Sequence, residues 1–373
     1  MEIPDGLRTT PFHRSYPADL DTEWIDVCGY AVPLWISDPD TEYTAFRQGV
    51  GVLEYSMLYR WHLEGPGALS VANAVHSRNL ELLEPGQIAY GVVTTAAGLM
   101  VDDCTATSFG PEHVLLVGGN PALGALLTEH LTGRVTLTER REQHAVAAVQ
   151  GPRSRDLLQR LTDSDLSTAS LPYYRTLATT SIAGIPAQLN RIGFTAELGY
   201  EVVVPVARAG ELWVALFEAG RDLGLQACGA AALMMCRVEG GMVMGDLEYD
   251  HTTTPFECRL GWTVDFEKGD FLGRAALEEA RHTAPSRVIT LTVEGDSEGL
   301  DGASVHHHGL RVGHVTMAVP SPHLGGATLA LARVHRDAAQ VGTGLMVVLD
   351  DGSREATVLA TPVYDPERLR VRG

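Results

Sequence analysis

Residues 87–107, QIAYGVVTTAAGLMVDDCTAT, place two adjacent carboxylates in an otherwise apolar stretch. The pattern predicts two strands joined by a turn at TAAG. Successive residues of a strand point to opposite faces, so Asp102 and Asp103 cannot both enter one pocket. We therefore expect one acid to face a functional interior and the other to contact water or the backbone of the turn.

Length and charge narrow the class of protein. The chain has 373 residues, 45% of them hydrophobic, which is enough for two or three domains with buried cores. A formal net charge of -19 offers no basic surface for nucleic acid or an anionic membrane, so small-molecule or protein partners are favoured. The chain has no apolar run of membrane-spanning length and no signal pattern at its start, which predicts a cytoplasmic protein. Five cysteines without a CxxC pair argue against disulfides and a zinc site.

The alternation of strand-like and helix-like segments predicts an α+β fold. YRWHLEG, HAVAAVQG and EVVVPV are typical of strands, whereas NPALGALLTEHL and ELWVALFEAGRDLGL have apolar residues at helical spacing. After about Ser286 the chain consists of strand-like segments separated by Gly and Asp turns, with no convincing helix. We therefore predict an α+β region over residues 1–283 and a β-barrel domain over residues 284–373.

Short motifs along nearly the whole chain resemble the aminomethyltransferase family, which comprises the T-protein of the glycine cleavage system and its tetrahydrofolate-dependent relatives. Each motif is weak alone, but their shared order and spacing make the resemblance specific. The matching fragments are TPFH at Thr10, GVGVLEYS at Gly49, AYGVVTTAAGLMVDD at Ala89, VQGP at Val149, GFTAELGYE at Gly193, CRVEGGMVMG at Cys236, TTPFECRLGWTVDF at Thr253 and VPSPHLGGATLALARV at Val319.

The resemblance implies a three-domain cloverleaf with a C-terminal β-barrel and tetrahydrofolate bound in a central channel. In the family pattern the second acid of the hairpin, Asp103, lies against the reactive nitrogen edge of the folate. Glu201 matches the glutamate that holds the pterin, and a carboxylate is suited to accept two adjacent N–H groups. Tyr90 and Phe194, the latter in place of a family tyrosine, would supply flat surfaces for the folate rings.

Three departures from the T-protein pattern bear on the substrate. Leu233 replaces an arginine, Met57 replaces a histidine, and Gly118 replaces an asparagine. Loss of a cation, an imidazole and an amide predicts a more apolar or differently shaped substrate pocket, lined also by Tyr55. The aminomethyl-lipoyl arm of a carrier protein is therefore not the expected substrate.

A further difference is the segment Glu248 to His251, which is predicted to form a loop near the channel. Tyr249 is a candidate general acid or ring platform, and Asp250 is a candidate substrate-pocket residue. The run HHH at 306–308 lies at a predicted hairpin of the barrel; its neighbouring side chains point in different directions, so no metal site is expected.

Three functions fit these residues. The leading one is a tetrahydrofolate-dependent one-carbon transferase that moves a methyl or methylene group between a small molecule and the cofactor. A methyl ether would need a proton donor, for which Tyr249 and Tyr55 are candidates. The second is a divergent glycine cleavage aminomethyltransferase. The third is a non-catalytic folate-binding protein of the iron–sulfur assembly type, which is disfavoured because Asp270 stands where those relatives have a cysteine.

Overall fold

The computed structural model describes residues 3–373, and these contain twenty strands and eight helices. The strands are β1 (Arg8–Thr9), β2 (Trp24–Val27), β3 (Tyr30–Pro33), β4 (Val50–Glu54), β5 (Tyr59–Glu64), β6 (Ile88–Thr94), β7 (Met100–Gly110), β8 (His113–Gly118), β9 (Thr136–Glu139), β10 (His144–Gln150), β11 (Thr176–Ile182), β12 (Ile185–Asn190), β13 (Gly199–Pro205), β14 (Leu225–Ala227), β15 (Ser286–Val293), β16 (Ser304–His307), β17 (Leu310–Ser321), β18 (Ala327–His335), β19 (Gly344–Leu349) and β20 (Gly352–Leu359). The helices are α1 (Pro39–Gln48), α2 (Ala68–Val75), α3 (Ala122–Glu129), α4 (Ser154–Gln159), α5 (Ala209–Ala219), α6 (Ala230–Glu239), α7 (Arg274–Thr283) and α8 (Leu369–Arg372).

The first large sheet has five antiparallel strands in the order β6-β7-β8-β5-β9. Helices α2 and α3 cover one of its faces. The side chains of that face, including Leu63, Val93, Cys104 and Leu116, form a buried core with the helices. The opposite face is therefore left for another part of the molecule.

The second large sheet has six strands in the order β11-β12-β13-β10-β4-β14, of which only the β4–β14 pair is parallel. Helices α4 and α5 pack on one face, over a core that includes Val52, Ala147 and Val202. Strand β10 is apolar on both faces, HAVAAVQ, as expected for a central strand covered on both sides.

The C-terminal strands close into a barrel in the order β15-β18-β17-β16-β19-β20, with apolar side chains inside. This confirms the predicted α+β fold with a C-terminal β-barrel. The prediction of no helix after Ser286 was incomplete, because the short helix α8 follows the barrel. His306 and His307 end β16, and His308 lies in the turn after it.

A cluster of buried side chains, which we call the central cluster, joins both large sheets to α6 and to the barrel. It includes Leu53 of β4, Val92 of β6, Leu233 of α6 and Leu329 of β18. The free faces of the two sheets thus meet each other at the centre of the molecule. No helix in residues 3–373 has the length and apolar character needed to cross a membrane.

Candidate active site

Strand register places a row of side chains on the free face of the five-stranded sheet. Tyr90 is opposite Thr105, Thr105 is opposite Val117, and Val117 is opposite Arg60. Directly opposed residues of an antiparallel sheet share a face. Asp103 lies two residues before Thr105 and so shares this face too. The free face therefore carries Asp103, Tyr90 and Arg60 together.

A matching row crosses the facing surface of the six-stranded sheet. Asn190 is opposite Glu201, Glu201 is opposite Ala148, and Ala148 is opposite Leu53. Leu53 and Ala148 belong to the central cluster, which also contains Val92 and Tyr90 of the other sheet. Glu201 and Asp103 consequently belong to the two opposing walls of one site.

Asp103 is held by two phenols. The Tyr90 hydroxyl donates to Asp103 Oδ2 at 2.7 Å, and the Tyr249 hydroxyl donates to Asp103 Oδ1. The backbone N–H of Asp103 donates in turn to the Tyr249 oxygen at 3.0 Å. Burial raises the pKa of Asp103, and the two phenol hydrogen bonds oppose that rise. A carboxylate fixed at both oxygens has a defined direction in the site.

Asp102 faces the other way, into the turn before α3. Its Oδ2 accepts a hydrogen bond from the backbone N–H of Asn120 at 3.0 Å. Burial raises the pKa of Asp102 well above its usual value, and the charge of Asp103 raises it further. The two carboxylates therefore differ in their surroundings, since Asp103 accepts from two phenols and Asp102 accepts from the backbone before α3.

Gly118 provides the room that Asp102 occupies. A Cβ atom at position 118 would collide with Asp102 Oδ2. The absence of the family asparagine at this position is therefore linked to the packing of Asp102. It does not open the face on which Asp103 lies.

Tyr249 reaches Asp103 from a turn that a buried ion pair anchors. Glu248 Oε2 pairs with Arg237 of α6 at 2.6 Å, and both side chains have no exposed surface. Glu248 Oε1 accepts a hydrogen bond from Thr316 of β17 at 2.6 Å, so the turn is also tied to the barrel. Glu248 thus fixes Tyr249 and does not itself face the site as a reactive group.

The Tyr249 hydroxyl keeps its proton at neutral pH. Burial is the largest cause that raises the pKa of Tyr249 well above its usual value, and the charge of Asp103 adds to it. The same two causes raise the pKa of Tyr90. Both phenols are therefore hydrogen-bond donors to the Asp103 carboxylate.

Glu201 has free hydrogen-bonding capacity in the gap between the sheets. Its Oε2 accepts from Asn190 Nδ2 at 3.3 Å, while Oε1 receives no hydrogen bond from any residue in 3–373. Burial raises the pKa of Glu201, whereas Arg60 and Asn190 lower it. The nearby Tyr55 hydroxyl is also buried and has no partner within the same range. Unused acceptors and a free hydroxyl suit a polar, flat ligand such as a pterin.

The other predicted site residues divide into two groups. Phe194, Tyr55 and Leu233 pack in the central cluster with Tyr90 and Tyr249, so the structure brings them together. Two others have local partners. Met57 is buried, and its carbonyl oxygen accepts a hydrogen bond from Arg141 Nη1 at 3.2 Å. Asp250 Oδ2 forms an ion pair with Arg333 Nη2 of the barrel at 3.1 Å.

Arg60 was missed by sequence reasoning. Its backbone N–H donates to Glu139, but its guanidinium makes no ion pair or hydrogen bond with any residue the structure describes. Its exposed fraction is only 3%. The sequence around Arg60 is YRWHLEG, in which Arg60, His62 and Glu64 alternate with Tyr59, Trp61 and Leu63. A strand face made of polar residues is usually exposed to solvent, so this pattern did not mark Arg60 as a buried site residue.

Comparison with known families and proteins identifies the family of the chain. Residues 14–268 match the model of the GCVT N-terminal domain, and residues 287–365 match that of the glycine cleavage T-protein C-terminal barrel domain. A protein named aminomethyltransferase from Streptomyces avermitilis is 36% identical over 94% of this chain and 95% of its own. The trimethylamine-oxide aldolase of Ruegeria pomeroyi is 30% identical over 99% of this chain, which covers 48% of that protein.

A solved structure shows the same fold. The glycine cleavage system aminomethyltransferase T from Bartonella henselae superposes with a TM-score of 0.86 at 22% identity, over 96% of this chain and 98% of that one. The chain therefore belongs to the glycine cleavage T-protein family of aminomethyltransferases, and it is a tetrahydrofolate-dependent enzyme that transfers one-carbon groups.

Proposed function

We propose that this enzyme moves a methyl or methylene group between a small molecule and tetrahydrofolate. The observation that carries the proposal is the Asp103 carboxylate held between the Tyr90 and Tyr249 hydroxyls. Beside it, Leu233 fills the position where the T-protein pattern has an arginine. An acid flanked by phenols and apolar side chains suits a small methylated compound better than a long lipoyl arm.

Four residues fit the cofactor. Glu201 would accept the two N–H groups of the pterin, because its Oε1 has no donor among residues 3–373. Tyr90 and Phe194 would lie against the folate rings, and Asp103 would face the edge that carries the one-carbon unit. Bound tetrahydrofolate supplies the N5 and N10 atoms that receive or release this unit.

The chain's own proton chemistry is concentrated at Asp103 and Tyr249. The ionised Asp103 carboxylate would orient a nearby amine through a charge-assisted hydrogen bond. Tyr249 Oη holds a proton at neutral pH and would supply it to the leaving oxygen or sulfur of a methyl ether or thioether. Asp103 would accept the proton that the methylated amine releases and return it to Tyr249 through their hydrogen bond, so that no second anion remains in the site. An onium substrate needs no such proton, since its leaving group is already neutral.

The experiment is a screen of small O-, N- and S-methyl compounds with tetrahydrofolate. Mass spectrometry would follow the formation of 5-methyl- and 5,10-methylene-tetrahydrofolate, with Asp103→Asn as the inactive control. We expect one donor class to give folate product at a rate that Asp103→Asn lowers about a hundredfold. Failure of every donor class, with product from an aminomethyl-loaded lipoyl carrier protein, would refute the proposal.

A second candidate is aminomethyl transfer in glycine cleavage. It is favoured by the Streptomyces avermitilis protein, whose name is aminomethyltransferase and which matches over 94% of this chain. Its test is release of ammonia and formation of 5,10-methylene-tetrahydrofolate from the loaded carrier protein. Complementation of a strain that lacks the T-protein would give the same answer in the cell.

A further inference from the structure

Arg60 is a buried cation without a partner. Register places it on the free face of the five-stranded sheet, in the row of Tyr90 and Thr105. Nε is inaccessible to solvent and unpaired, and neither terminal nitrogen of the guanidinium donates to a residue in the range 3–373. A guanidinium has five N–H donors, and leaving the buried Nε–H without an acceptor is costly.

The position of Arg60 relative to Glu201 limits what it could bind. Register places Arg60 in the row of the five-stranded sheet that contains Tyr90, and Glu201 in the facing row of the six-stranded sheet. Burial raises the pKa of Glu201, and the charge of Arg60 opposes that rise. No ion pair or hydrogen bond joins the Arg60 guanidinium to Glu201, whose only side-chain partner in residues 3–373 is Asn190. Burial lowers the pKa of His62 and of His144, and the Arg60 charge lowers both further. The nearby Glu139 carboxylate pairs with Arg141, so no acid in residues 3–373 forms an ion pair with the Arg60 guanidinium.

A ligand that pairs with both groups must present donors to Glu201 and an acceptor to Arg60. The 2-amino-4-oxo ring of a folate carries these groups side by side, as an amino group, a ring N–H and a carbonyl oxygen. Glu201 is suited to the two donors. The remaining group on that edge is the carbonyl oxygen, which needs a donor beyond the carboxylate.

We propose that Arg60 is a specificity-determining residue that donates hydrogen bonds to the 4-oxo group of the pterin ring. It would make the site select 4-oxo over 4-amino pteridines, because a 4-amino group directs its own N–H bonds at the guanidinium. The inference goes beyond the proposed function and does not depend on which compound donates the methyl group.

The test is a pair of ligands that differ at this ring position, folic acid and aminopterin. Their dissociation constants would be measured by calorimetry for the full-length protein and for Arg60→Met. We expect Arg60→Met to weaken folic acid about tenfold or more and aminopterin less than about threefold. The preference for folic acid should fall by that ratio but not vanish, since Glu201 also favours a ring N–H.

Two further variants control for effects that are unrelated to the contact with the pterin. Arg160→Met makes the same change at an exposed arginine paired with Asp222 and should leave both affinities unchanged. Arg60→Gln keeps a neutral polar group with a shorter reach, and it gives the same comparison if Arg60→Met does not fold. An equal loss for both ligands, or no loss for either, would overturn the assignment.

Discussion

At the scale of single residues, the site depends on the direction of one carboxylate. Asp103 Oδ2 and Oδ1 are each held by a phenol, Tyr90 and Tyr249. Asp102 points to the opposite side of β7, where the backbone of Asn120 binds it. The two acids are adjacent in the chain but have separate surroundings, and they should respond differently to the same substitution.

Asp103→Asn is expected to lower turnover about a hundredfold or more, because it removes the charge that orients or polarises the reacting amine. The variant keeps the size of the side chain, so folate binding should survive better than turnover. Single-turnover rates and folate dissociation constants would be measured on the same preparation.

Asp102→Asn is the matched control. It should change mainly the free energy of unfolding, by an amount on the order of 1 kcal/mol, since Asp102 accepts a backbone hydrogen bond away from the site. If Asp102→Asn abolished turnover in a folded protein while Asp103→Asn stayed nearly normal, the assignment of faces on β7 would be wrong.

Glu201→Gln should weaken the binding of reduced folate by about 1 to 3 kcal/mol, through loss of a charge-assisted pair of hydrogen bonds. Glu211→Gln, at an exposed site paired with Arg208, provides the control for the same chemical change. Calorimetric titration with 5-formyltetrahydrofolate would measure both. Unchanged affinity in Glu201→Gln would remove Glu201 from the pterin site.

The two-residue period of a strand predicted that only one of Asp102 and Asp103 faces the site, and the family resemblance assigned that place to Asp103. It did not predict that Tyr249, 146 residues away, bonds to both the carboxylate and the backbone of Asp103. Nor did it find Arg60, because the facing side of β5 depends on the strand order of the sheet. Contacts between distant segments require the fold, which local pattern does not specify.

At the scale of elements, the turn that carries Tyr249 depends on Glu248. This residue joins α6, through Arg237, to strand β17, through Thr316. The sequence placed Glu248 on a loop near the channel, and its complete burial could not be read from a polar segment. The pairing sets the position of Tyr249 without contact to a ligand.

Glu248→Gln should lower the free energy of unfolding by about 3 to 5 kcal/mol, because it leaves Arg237 buried without its counter-charge. Chemical denaturation would measure the loss. The double variant Arg237→Met with Glu248→Gln should recover much of it, since no unpaired charge remains. If the double variant were as unstable as the sum of the two single changes, the ion pair would not be the cause.

Glu54, at the end of β4, makes the free energy of unfolding depend on pH. Glu54 contacts the N-terminal segment through the Phe12 backbone at 3.4 Å and the Tyr16 hydroxyl at 3.4 Å, and burial raises the pKa of Glu54 to about 7. Between the ordinary pKa of a glutamate and pH 7, the folded protein therefore keeps a proton on Glu54 that the unfolded chain has already released. Stability linked to Glu54 is therefore present at low pH and lost as pH rises towards 7.

As the pH rises from 5 to 8, the free energy of unfolding of the wild type should fall by about 2 to 3 kcal/mol relative to that of Glu54→Gln, whose side chain does not titrate. Denaturation midpoints of both proteins across this range would measure the difference. Parallel pH curves for the wild type and the variant would show that Glu54 does not titrate as stated.

At the scale of the whole molecule, two sheets and a barrel meet around the central cluster. Leu53, Val92 and Leu329 come from these three parts, and each belongs to that cluster. Periodicity and turn residues predicted the α+β class and the barrel, since both are properties of local pattern. Packing between distant segments decides which faces of the two sheets meet. Local pattern does not show this, so the placement of Glu201 and Asp103 in one folate site came from the family resemblance.

We propose that reduced folate lies in the gap between the two sheets, with its pterin at Glu201 and its reactive nitrogens towards Asp103. A crystal structure with 5-formyltetrahydrofolate tests this most directly, because it requires no knowledge of the methyl donor. We expect the 2-amino and ring N–H groups within hydrogen-bond distance of the Glu201 carboxylate, and the N5–N10 edge on the side of Asp103. Folate bound mainly against the barrel, with Glu201 and Asp103 both free of it, would show that this placement is wrong.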